Sequence, residues 1–382
     1  MGKGIITILS NIIWLCVNAQ HSSEFLQIDK IALQIPDSLT HSTTDLADYF
    51  NTRFSEAGEK SRAIFSWITG NIVYDIDQRF MPKYYNNPDD VINEVLIYKK
   101  GVCVHFAELL CAVANKSGIK SYVIFGCTKQ NGTIDNIPHA WCACLIDSGW
   151  LLVDPTWGSG YIQNSRFIHK VNDKYYNVKP EEIINSHYPF DPLWQFSYYP
   201  VSFTEFSSGK LQQKEGKKYF NFADTLYRYE NQPATARLKS SYKRIKDYGA
   251  GNLLVEERLE NINREIEYHN NNQNTEQYNS AVLTYNSGIK LLNSFIDYRN
   301  KQFNPLKPDS EIKQMLDTAA STLKLSRQQI NNIKLPDENM KPLIKQLNNA
   351  INDASIRLNE QKAFLDKYIK TGKLSRKSLF YK

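Results

Sequence analysis

Residues 101–114 read GVCVHFAELLCAVA, a pattern that predicts a buried helix beginning close to a cysteine. The apolar positions recur at helical spacing, and Gly118 follows as a stop signal. Cys103 falls in the first turn, where unpaired backbone N–H groups and the positive end of the helix dipole stabilise a thiolate. The sequence therefore predicts a candidate nucleophile at Cys103. A small buried cysteine of a core helix is the alternative.

Upstream patterns predict three further helices. Thr43, Thr44 or Asp45 can cap one that ends near Phe54. A longer helix is expected over residues 57–72 and a short one over residues 91–96, which ends before Gly101.

Strand-forming runs follow the cysteine helix at residues 121–127, 139–146 and 150–153. The compact turn Asp147-Ser148-Gly149 predicts that the last two runs form a hairpin. The segment 161–206 is rich in aromatic residues and proline, and we expect irregular chain with short elements there. The core is therefore expected to be an antiparallel sheet with a helix against it.

Two residues near this hairpin have the chemistry that a cysteine nucleophile needs. His139 opens a strand and shares a strand face with Trp141, so it can act as general base and acid in a cleft. Asp154 follows the next strand and could orient the imidazole. Taken singly, each also fits a structural role, as a packed histidine and as a turn aspartate.

Spacing along the hairpin predicts a gap between these two residues. Folding about Ser148 places Cys142 opposite Asp154 and leaves His139 about three residues, roughly 10 Å, from the aspartate. We expect a bulge, a longer turn or strong twist to close this distance.

Three blocks of sequence together resemble the transglutaminase-like superfamily of papain-type thiol enzymes: GVCVHFA at 101–107, HAW at 139–141 and VDPTW at 153–157. The order of cysteine, histidine and aspartate and the 15-residue step between the last two match that family. The resemblance implies that Cys103 is the nucleophile, His139 the base and acid, and Asp154 the orienting carboxylate.

Flanking features resemble the kyphoscoliosis-peptidase-like branch of the superfamily. They are Trp67 with the run at 71–75, and after the aspartate His187-Tyr188-Pro189 and Trp194-Gln195. The resemblance covers residues 60–206. It implies a papain-like or transglutaminase-like core in which the helix bearing the cysteine packs on an antiparallel sheet.

The chain departs from the family pattern beside the cysteine. His105 stands where the family usually has glycine, Phe106 replaces tyrosine, and Cys127 replaces an aromatic residue. We expect these changes to be tolerated, since a side chain two residues after the nucleophile points to another helix face. For the oxyanion, the Cys103 N–H is one candidate donor, and Trp67, Asn71 or Tyr74 could supply the second.

The composition is that of a globular protein, with 382 residues of which 42% are hydrophobic and 23% charged. It excludes a mainly disordered chain, collagen and a small disulfide scaffold. The net charge is +6. Residues 1–206 carry 16 basic and 21 acidic groups, a net charge of −5, and residues 207–382 carry 30 and 19, a net charge of +11.

The first 19 residues predict an export signal. Lys3 precedes an apolar stretch, and Val17-Asn18-Ala19 supplies small residues before a cleavage after Ala19. The stretch is too short for a membrane span. Bulky residues before Cys16 argue against a lipid anchor. We expect a periplasmic or secreted protein with no transmembrane segment in the mature chain.

Five cysteines remain after such cleavage: Cys103, Cys111, Cys127, Cys142 and Cys144. The odd number predicts at least one free thiol in a monomer. Cys142 and Cys144 share a strand face away from His139, and we expect apolar packing, or a disulfide from one of them to Cys111 or Cys127. The sequence contains no CxxC pair, HExxH helix, Walker loop or GxGxxG, so no metal or cofactor is predicted.

Helical patterns occupy the basic region after Phe206, over residues 233–247, 252–269, 275–302, 309–332 and 338–370. Its basic residues alternate with glutamates, as on a solvated helix surface, which argues against nucleic acid. An envelope protein or an anionic surface is a possible partner of these helices, especially through residues 370–382.

These observations predict an α+β protein with a signal peptide at 1–19, a transglutaminase-like domain at 20–206 and an all-α helical domain at 207–382. The resemblance implies a cysteine acyl-transfer enzyme that attacks peptide or protein amides, with water or an amine as acceptor. The alternative is an inactive transglutaminase-like domain that serves as a binding or scaffolding protein at the cell envelope.

Overall fold

The computed structural model describes residues 25–80, 83, 85, 87–210, 212, 214–248, 253–334 and 336–381. The predicted signal peptide lies outside the described residues. By its internal contacts the chain divides into two compact units, and the division falls after Glu265.

The first unit begins with a series of helices, several of which pack against the cysteine helix. They are α1 (25–33), α2 (Thr43–Asn51), α3 (Ala57–Asn71), α4 (Ile76–Phe80), α5 (Pro88–Tyr98) and α6 (Cys103–Lys116). Ser42 caps α2 through a hydrogen bond from the Asp45 N–H, so the predicted cap at residues 43–45 was wrong by one position or more. The strands β1 (Val73–Tyr74) and β2 (Lys100–Gly101) pair in parallel and join the end of α3 to the start of α6.

The main sheet follows α6. Its strands are β3 (Ser121–Gln130), β4 (Thr133–Ile134), β5 (His139–Ile146) and β6 (Gly149–Val153), in the order β4-β3-β5-β6, and all pair antiparallel. Helix α6 packs on β3 and β5. A helix that starts at Cys103 and packs on an antiparallel sheet confirms the predicted α+β class.

The two faces of this sheet bury different residues. Cys142 and Cys144 face the core that includes α6, whereas Trp141 and Ala143 belong to a second core on the opposite face. This alternation follows from the two-residue repeat of a strand, and it confirms that the two cysteines point away from the Trp141 face.

Short elements occupy residues 155–208, as expected from the irregular sequence. They are α7 (Pro155–Ser159), the hairpin of β7 (Gly160–Gln163) and β8 (Arg166–His169), α8 (Pro180–Ile183), β9 (His187–Pro189) and α9 (Phe203–Ser208). Strand β9 adds antiparallel to β3, with Thr128 opposite His187.

The remaining helices are α10 (Phe222–Glu230), α11 (Ala234–Tyr248), α12 (Leu253–Asn300), α13 (Asp309–Asn331) and α14 (Met340–Lys370). The pattern did not predict α10, and it predicted a break near residues 270–274 where α12 runs without interruption. The asparagine-rich run there lies inside a long continuous helix. The helical context therefore outweighs the low helix propensity of asparagine.

The second unit, residues 266–382, has helices as its regular elements wherever the structure describes it. Its buried residues form cores between α13, α14 and the later part of α12. Helices α10 and α11 belong to the first unit, which therefore extends beyond residue 206. The boundary of the transglutaminase-like domain at residue 206 stays a prediction.

Candidate active site

Cys103 is the first residue of α6. The N-cap residue Val102 has an extended backbone. The Cys103 side chain is half-buried and forms no disulfide. The first N–H groups of a helix have no partner within the helix, so the Cys103 N–H is available to an oxyanion at the sulfur. The position in the first turn agrees with the sequence prediction.

His139 is the first residue of β5 and lies opposite Gly126 of β3. Its buried ring lies between two indoles, 6.0 Å from the Trp141 ring and 5.7 Å from that of Trp157. Gly126 permits this packing, because a Cβ there would come within 2.5 Å of the Trp141 ring and 2.1 Å of the Tyr188 carbonyl oxygen. The glycine thus allows both neighbours of β3 to approach.

Asp154 comes directly after β6 and caps α7. Its Oδ1 accepts hydrogen bonds from the N–H groups of Thr156 at 2.8 Å and Trp157 at 3.1 Å. Its Oδ2 lies 2.8 Å from Nε2 of His139 and 3.0 Å from Nε2 of His187. The carboxyl group is completely buried and has four hydrogen-bond partners.

The predicted register of the hairpin was wrong by one residue, and the expected gap does not exist. Ile146 pairs with Gly149 and Cys142 with Val153, so the turn is centred between Asp147 and Ser148. Both turn residues have positive φ, 49° and 68°, as a tight two-residue hairpin turn requires. A shift of one residue moves a side chain to the other face of a sheet. Continuing the observed ladder places Asp154 beside Trp141, on the face of His139.

Electrostatics bind the histidine and the aspartate together. Burial raises the pKa of Asp154, but the charge of His139 and hydrogen bonds from both histidines outweigh burial and hold the pKa well below the usual range of an aspartate. Burial lowers the pKa of His139, whereas Asp154 and then Cys103 raise it, to about 10. Asp154 is therefore ionised and the His139 imidazolium is favoured.

The sulfur of Cys103 is the third member of this arrangement. Its interaction with His139, which is weaker than that of Asp154, helps to raise the pKa of the imidazole. Because Asp154 takes Nε2 of the ring, Nδ1 is the nitrogen left to face the sulfur. The structure thus brings together the three residues that the sequence singled out; their catalytic role stays a prediction.

Sequence reasoning missed one member of the site. His187 of β9 is completely buried and is a second histidine partner of Asp154. In the sequence, His187 was noted only as part of the flanking run His187-Tyr188-Pro189. That run supported the family resemblance, and no function was assigned to the histidine. Strand β9 is short and far along the chain, so spacing could not place it beside Asp154.

The three candidates for a second oxyanion donor lie in different surroundings. Trp67 is buried in the core, and the Asn71 amide donates to the Trp67 carbonyl oxygen at 2.8 Å. Tyr74 is half-buried on β1, where burial and then the charge of Cys103 raise its pKa above the usual range of a tyrosine. Its phenol therefore keeps its proton near neutral pH, as a hydrogen-bond donor must.

The family departures are accommodated inside the protein. The His105 ring is completely buried; its Nδ1 accepts from the Val102 N–H at 3.2 Å, and its Nε2 lies 2.9 Å from the Tyr85 hydroxyl. Phe106 and Cys127 are also buried. His105 therefore braces the start of α6 from within.

The other described cysteines are buried free thiols. Burial raises the pKa of Cys127 and of Cys144 to about 12, and raises that of Cys142 well above the usual range of a thiol. Cys142 lies 3.4 Å from the Ala107 carbonyl oxygen, and Cys144 lies 3.3 Å from the Ser121 hydroxyl. Of the two expected arrangements, the structure has apolar packing.

Residue types that bind metal ions meet at His139, Asp154 and His187, whose ligand atoms lie within 4.8 Å of one another. Both Nε2 atoms lie at hydrogen-bond distance from the same carboxylate oxygen, which is the geometry of N–H donors on a shared acceptor. We interpret the cluster as a hydrogen-bonded network. That the protein needs no metal or cofactor stays a prediction.

Comparison with known proteins identifies the domain. A family model described as the transglutaminase-like superfamily matches residues 44–155. The chain carries a transglutaminase-like domain. The match includes the cysteine and histidine blocks and the first three residues of the aspartate block, Val153–Pro155, and the predicted resemblance is confirmed. Such a domain is that of a thiol enzyme or of a related scaffold.

Kyphoscoliosis peptidases are among the curated relatives that this chain matches. The Homo sapiens protein is 28% identical over 209 residues, which cover 50% of this chain and 30% of the relative. The Mus musculus protein is 28% identical over 172 residues, covering 41% and 24%. The chain thus matches less than a third of the length of these relatives. A solved transglutaminase structure aligns with 20% identity and a TM-score of 0.25, covering 37% of this chain and 36% of the other.

No helix among the described residues is both long and apolar enough to cross a membrane.

Proposed function

We propose that this protein is an exported thiol enzyme that transfers acyl groups from peptide or protein amides through Cys103, His139 and Asp154. The observation that supports this proposal is a buried His139 whose Nε2 lies 2.8 Å from Oδ2 of Asp154 and whose pKa is raised by Asp154 and then by Cys103. The transglutaminase-like domain adds support from the family.

Acylation uses the imidazolium and the start of α6. The sulfur of Cys103 attacks the amide carbonyl carbon, and the oxyanion accepts a hydrogen bond from the Cys103 N–H and, in our interpretation, from Tyr74. His139 then gives its Nδ1 proton to the leaving nitrogen as the C–N bond breaks. Asp154 keeps the ring oriented and stabilises its charge.

Deacylation decides the reaction class. His139 takes a proton from water or from an amine, whose oxygen or nitrogen forms a new bond to the acyl carbon as the C–S bond breaks. Both acceptors use the same acyl-enzyme. We favour hydrolysis, because water needs no dedicated acceptor groove.

A catalytically inactive scaffold is the second candidate. The departure at His105 favours it, because the residues beside the nucleophile differ from the family pattern. The hydrogen-bonded Asp154 and His139 argue against decay of the site.

Thiol labelling separates the two candidates. We expect iodoacetamide to modify Cys103 near neutral pH at least tenfold faster than the four buried cysteines, and a His139→Ala variant to lose this difference. Cys142→Ala is the matched control, because it removes a buried thiol and should leave Cys103 labelling unchanged. Cys103 labelling at the same rate in the parent and in His139→Ala would favour the scaffold, because exposure of the thiol would then account for its reactivity.

Mass spectrometry then identifies the reaction. An activated peptide ester should leave one acyl group on Cys103, and its release should be followed with water alone and with an added primary amine. Release by water alone assigns a hydrolase, and transfer to the amine assigns a transglutaminase. A chain that never acquires the acyl group contradicts the enzymatic proposal.

The proposed export is tested on the processed chain. We expect the protein from the periplasm or the culture medium to begin at Gln20, as read by N-terminal sequencing. Retention of Met1 in the cytoplasmic fraction would contradict this part of the proposal.

A further inference from the structure

The second histidine on Asp154 is held from every side. Strand β9 places His187 next to β3, and its ring lies 4.7 Å from the Trp157 ring and 5.1 Å from that of Trp141. Its Nδ1 lies 2.8 Å from the Ser186 hydroxyl, and its Nε2 lies 3.0 Å from Oδ2 of Asp154. Both ring nitrogens are therefore occupied, and the ring has one orientation.

The protonation of His187 follows from these partners. Burial and the charge of His139 together outweigh Asp154 and Asp135 and lower the pKa of His187, so the ring is neutral near neutral pH. The ionised Asp154 only accepts hydrogen bonds, so Nε2 carries the proton. Nδ1 is then an acceptor, and the Ser186 hydroxyl donates to it.

The two oxygens of Asp154 are fixed by different parts of the chain. Two backbone N–H groups of α7 donate to Oδ1. Because they hold only this one oxygen, they leave the carboxylate able to turn about it. Oδ2 is held between the Nε2–H groups of His139 and His187. His187 thus supplies the contact that fixes the carboxylate plane when the His139 ring moves a proton.

We infer that His187 is a positioning residue that aims the Asp154 carboxylate at His139 through its neutral Nε2–H donor. The inference rests on the proposed function, which it deepens. His187 stays buried behind the carboxylate, and its effect on the reaction passes through Asp154.

Further groups face this network and contribute to its titration. Tyr74, Tyr175 and Cys142 interact electrostatically with Asp154, in addition to the two histidines. Cys103 interacts with His139, and Asp135 with His187. Burial raises the pKa of Tyr74, Tyr175 and Cys142, and these three groups are common to all variants below. Asp135 is common to all variants below.

Two amide substitutions provide a matched test. In His187→Gln the amide nitrogen reaches the place of Nε2 and can donate to Asp154. In His187→Asn the shorter amide reaches only the place of Nδ1, near Ser186. Both side chains are neutral and polar. A difference between the two variants in the titration of His139 therefore measures the effect of the hydrogen bond donated to Asp154.

NMR titration of His139 in the full chain is the readout, with the ring signal assigned by its loss in His139→Gln. In the parent protein we expect deprotonation near pH 10. In His187→Asn, a carboxylate that turns away should lower this midpoint by about one pH unit or more, because it no longer stabilises the imidazolium. In His187→Gln the midpoint should stay at the parent value. The rate of Cys103 labelling should fall about tenfold in the asparagine variant alone.

Three results would overturn the inference: equal midpoints in all three proteins, an equal fall in both variants, or a higher midpoint in His187→Asn. The last would mean that His187 only shares the charge of Asp154. Because this titration needs no substrate, it is read separately from acyl transfer. A shifted midpoint with no acyl-enzyme in the parent would retain the hydrogen-bond role and reject the proposed function.

Discussion

His105 packs so closely on Gly101 that a larger residue at position 101 would collide with the histidine. A Cβ on Gly101 would lie 2.5 Å from Cβ and Cγ of His105. The histidine ring fills the space at the start of α6, and Gly101 leaves room for it. The exchange of the family glycine for His105 is therefore tied to a glycine four residues earlier, which the sequence pattern did not indicate.

Gly101→Ala should destabilise the protein by about 1–3 kcal/mol, because the buried ring has to move. In a His105→Gly background the same alanine should cost less than half as much, since the obstacle is gone. Urea unfolding of the four proteins measures this coupling. Additive effects would show that the two residues do not meet.

Glu108 on α6 faces a cavity of about 360 Å³ that Asn115, Trp194 and Arg258 also line. Burial, and then the charge of Glu265, raise the pKa of Glu108 to about 7. The folded protein thus keeps this proton at a pH where the unfolded chain has lost it. Stability falls as the pH rises from about 4.5 through 7.

Glu108→Gln should therefore be more stable than the parent by about 1–3 kcal/mol at pH 8 and equally stable at pH 4. Urea unfolding at both pH values checks this expectation. Glu260→Gln is the control at an exposed glutamate, and it should show no such difference. If the stability difference between Glu108→Gln and the parent were the same at pH 8 and at pH 4, the raised pKa of Glu108 would be contradicted.

The elements around α6 are joined by a buried guanidinium. Arg62 of α3 is almost completely buried and pairs with Asp29 of α1 at 2.6 Å and with Asp173 at 2.6 Å. Its planar group also lies 4.5 Å from the centre of the Phe25 ring. The pairs fasten α1 and the chain before α8 to the helix that packs on α6.

Arg62→Ala should cost about 3 kcal/mol, because it leaves two carboxylates without their partner and a space in the core. Arg228→Ala on α10 is the control. Its exposed ion pair with Asp224 should contribute less than about 1 kcal/mol. Equal midpoints of urea unfolding for the two variants would show that the buried pair is not structural.

The two compact units differ in charge. Residues 1–265 carry 28 basic and 29 acidic groups, a net charge of −1, whereas residues 266–382 carry 18 and 11, a net charge of +7. Leu374 is fully exposed in the basic segment that ends the chain. This asymmetry supports the hypothesis, drawn above from the sequence, that the basic helices contact an anionic surface.

The full chain should co-sediment with phosphatidylglycerol vesicles at low salt and be released by about 0.5 M NaCl, where charges are screened. A double Lys373→Ser, Lys377→Ser variant should bind several-fold more weakly. Phosphatidylcholine vesicles are the control. Equal binding to both lipids would rule out a charge-driven contact.

Much of this molecule was predictable from local pattern. Period and stop signals were enough for α3, α6 and the strands β3, β5 and β6, since burial of one face repeats along each element. The order of three sequence blocks was enough to recognise the superfamily and to single out Cys103, His139 and Asp154. The division after Glu265 and the unbroken α12 were not predictable, because they depend on packing between distant segments.

The meeting of the site residues depends on contacts that no local pattern contains. One residue of hairpin register decides which sheet face Asp154 joins, and a two-residue turn of left-handed conformation sets that register. His187 lies 33 positions after Asp154 in the chain, and it reaches the carboxylate only because β9 pairs with β3. Residue types and their order are properties of the chain, whereas distances between side chains follow from how its strands pair.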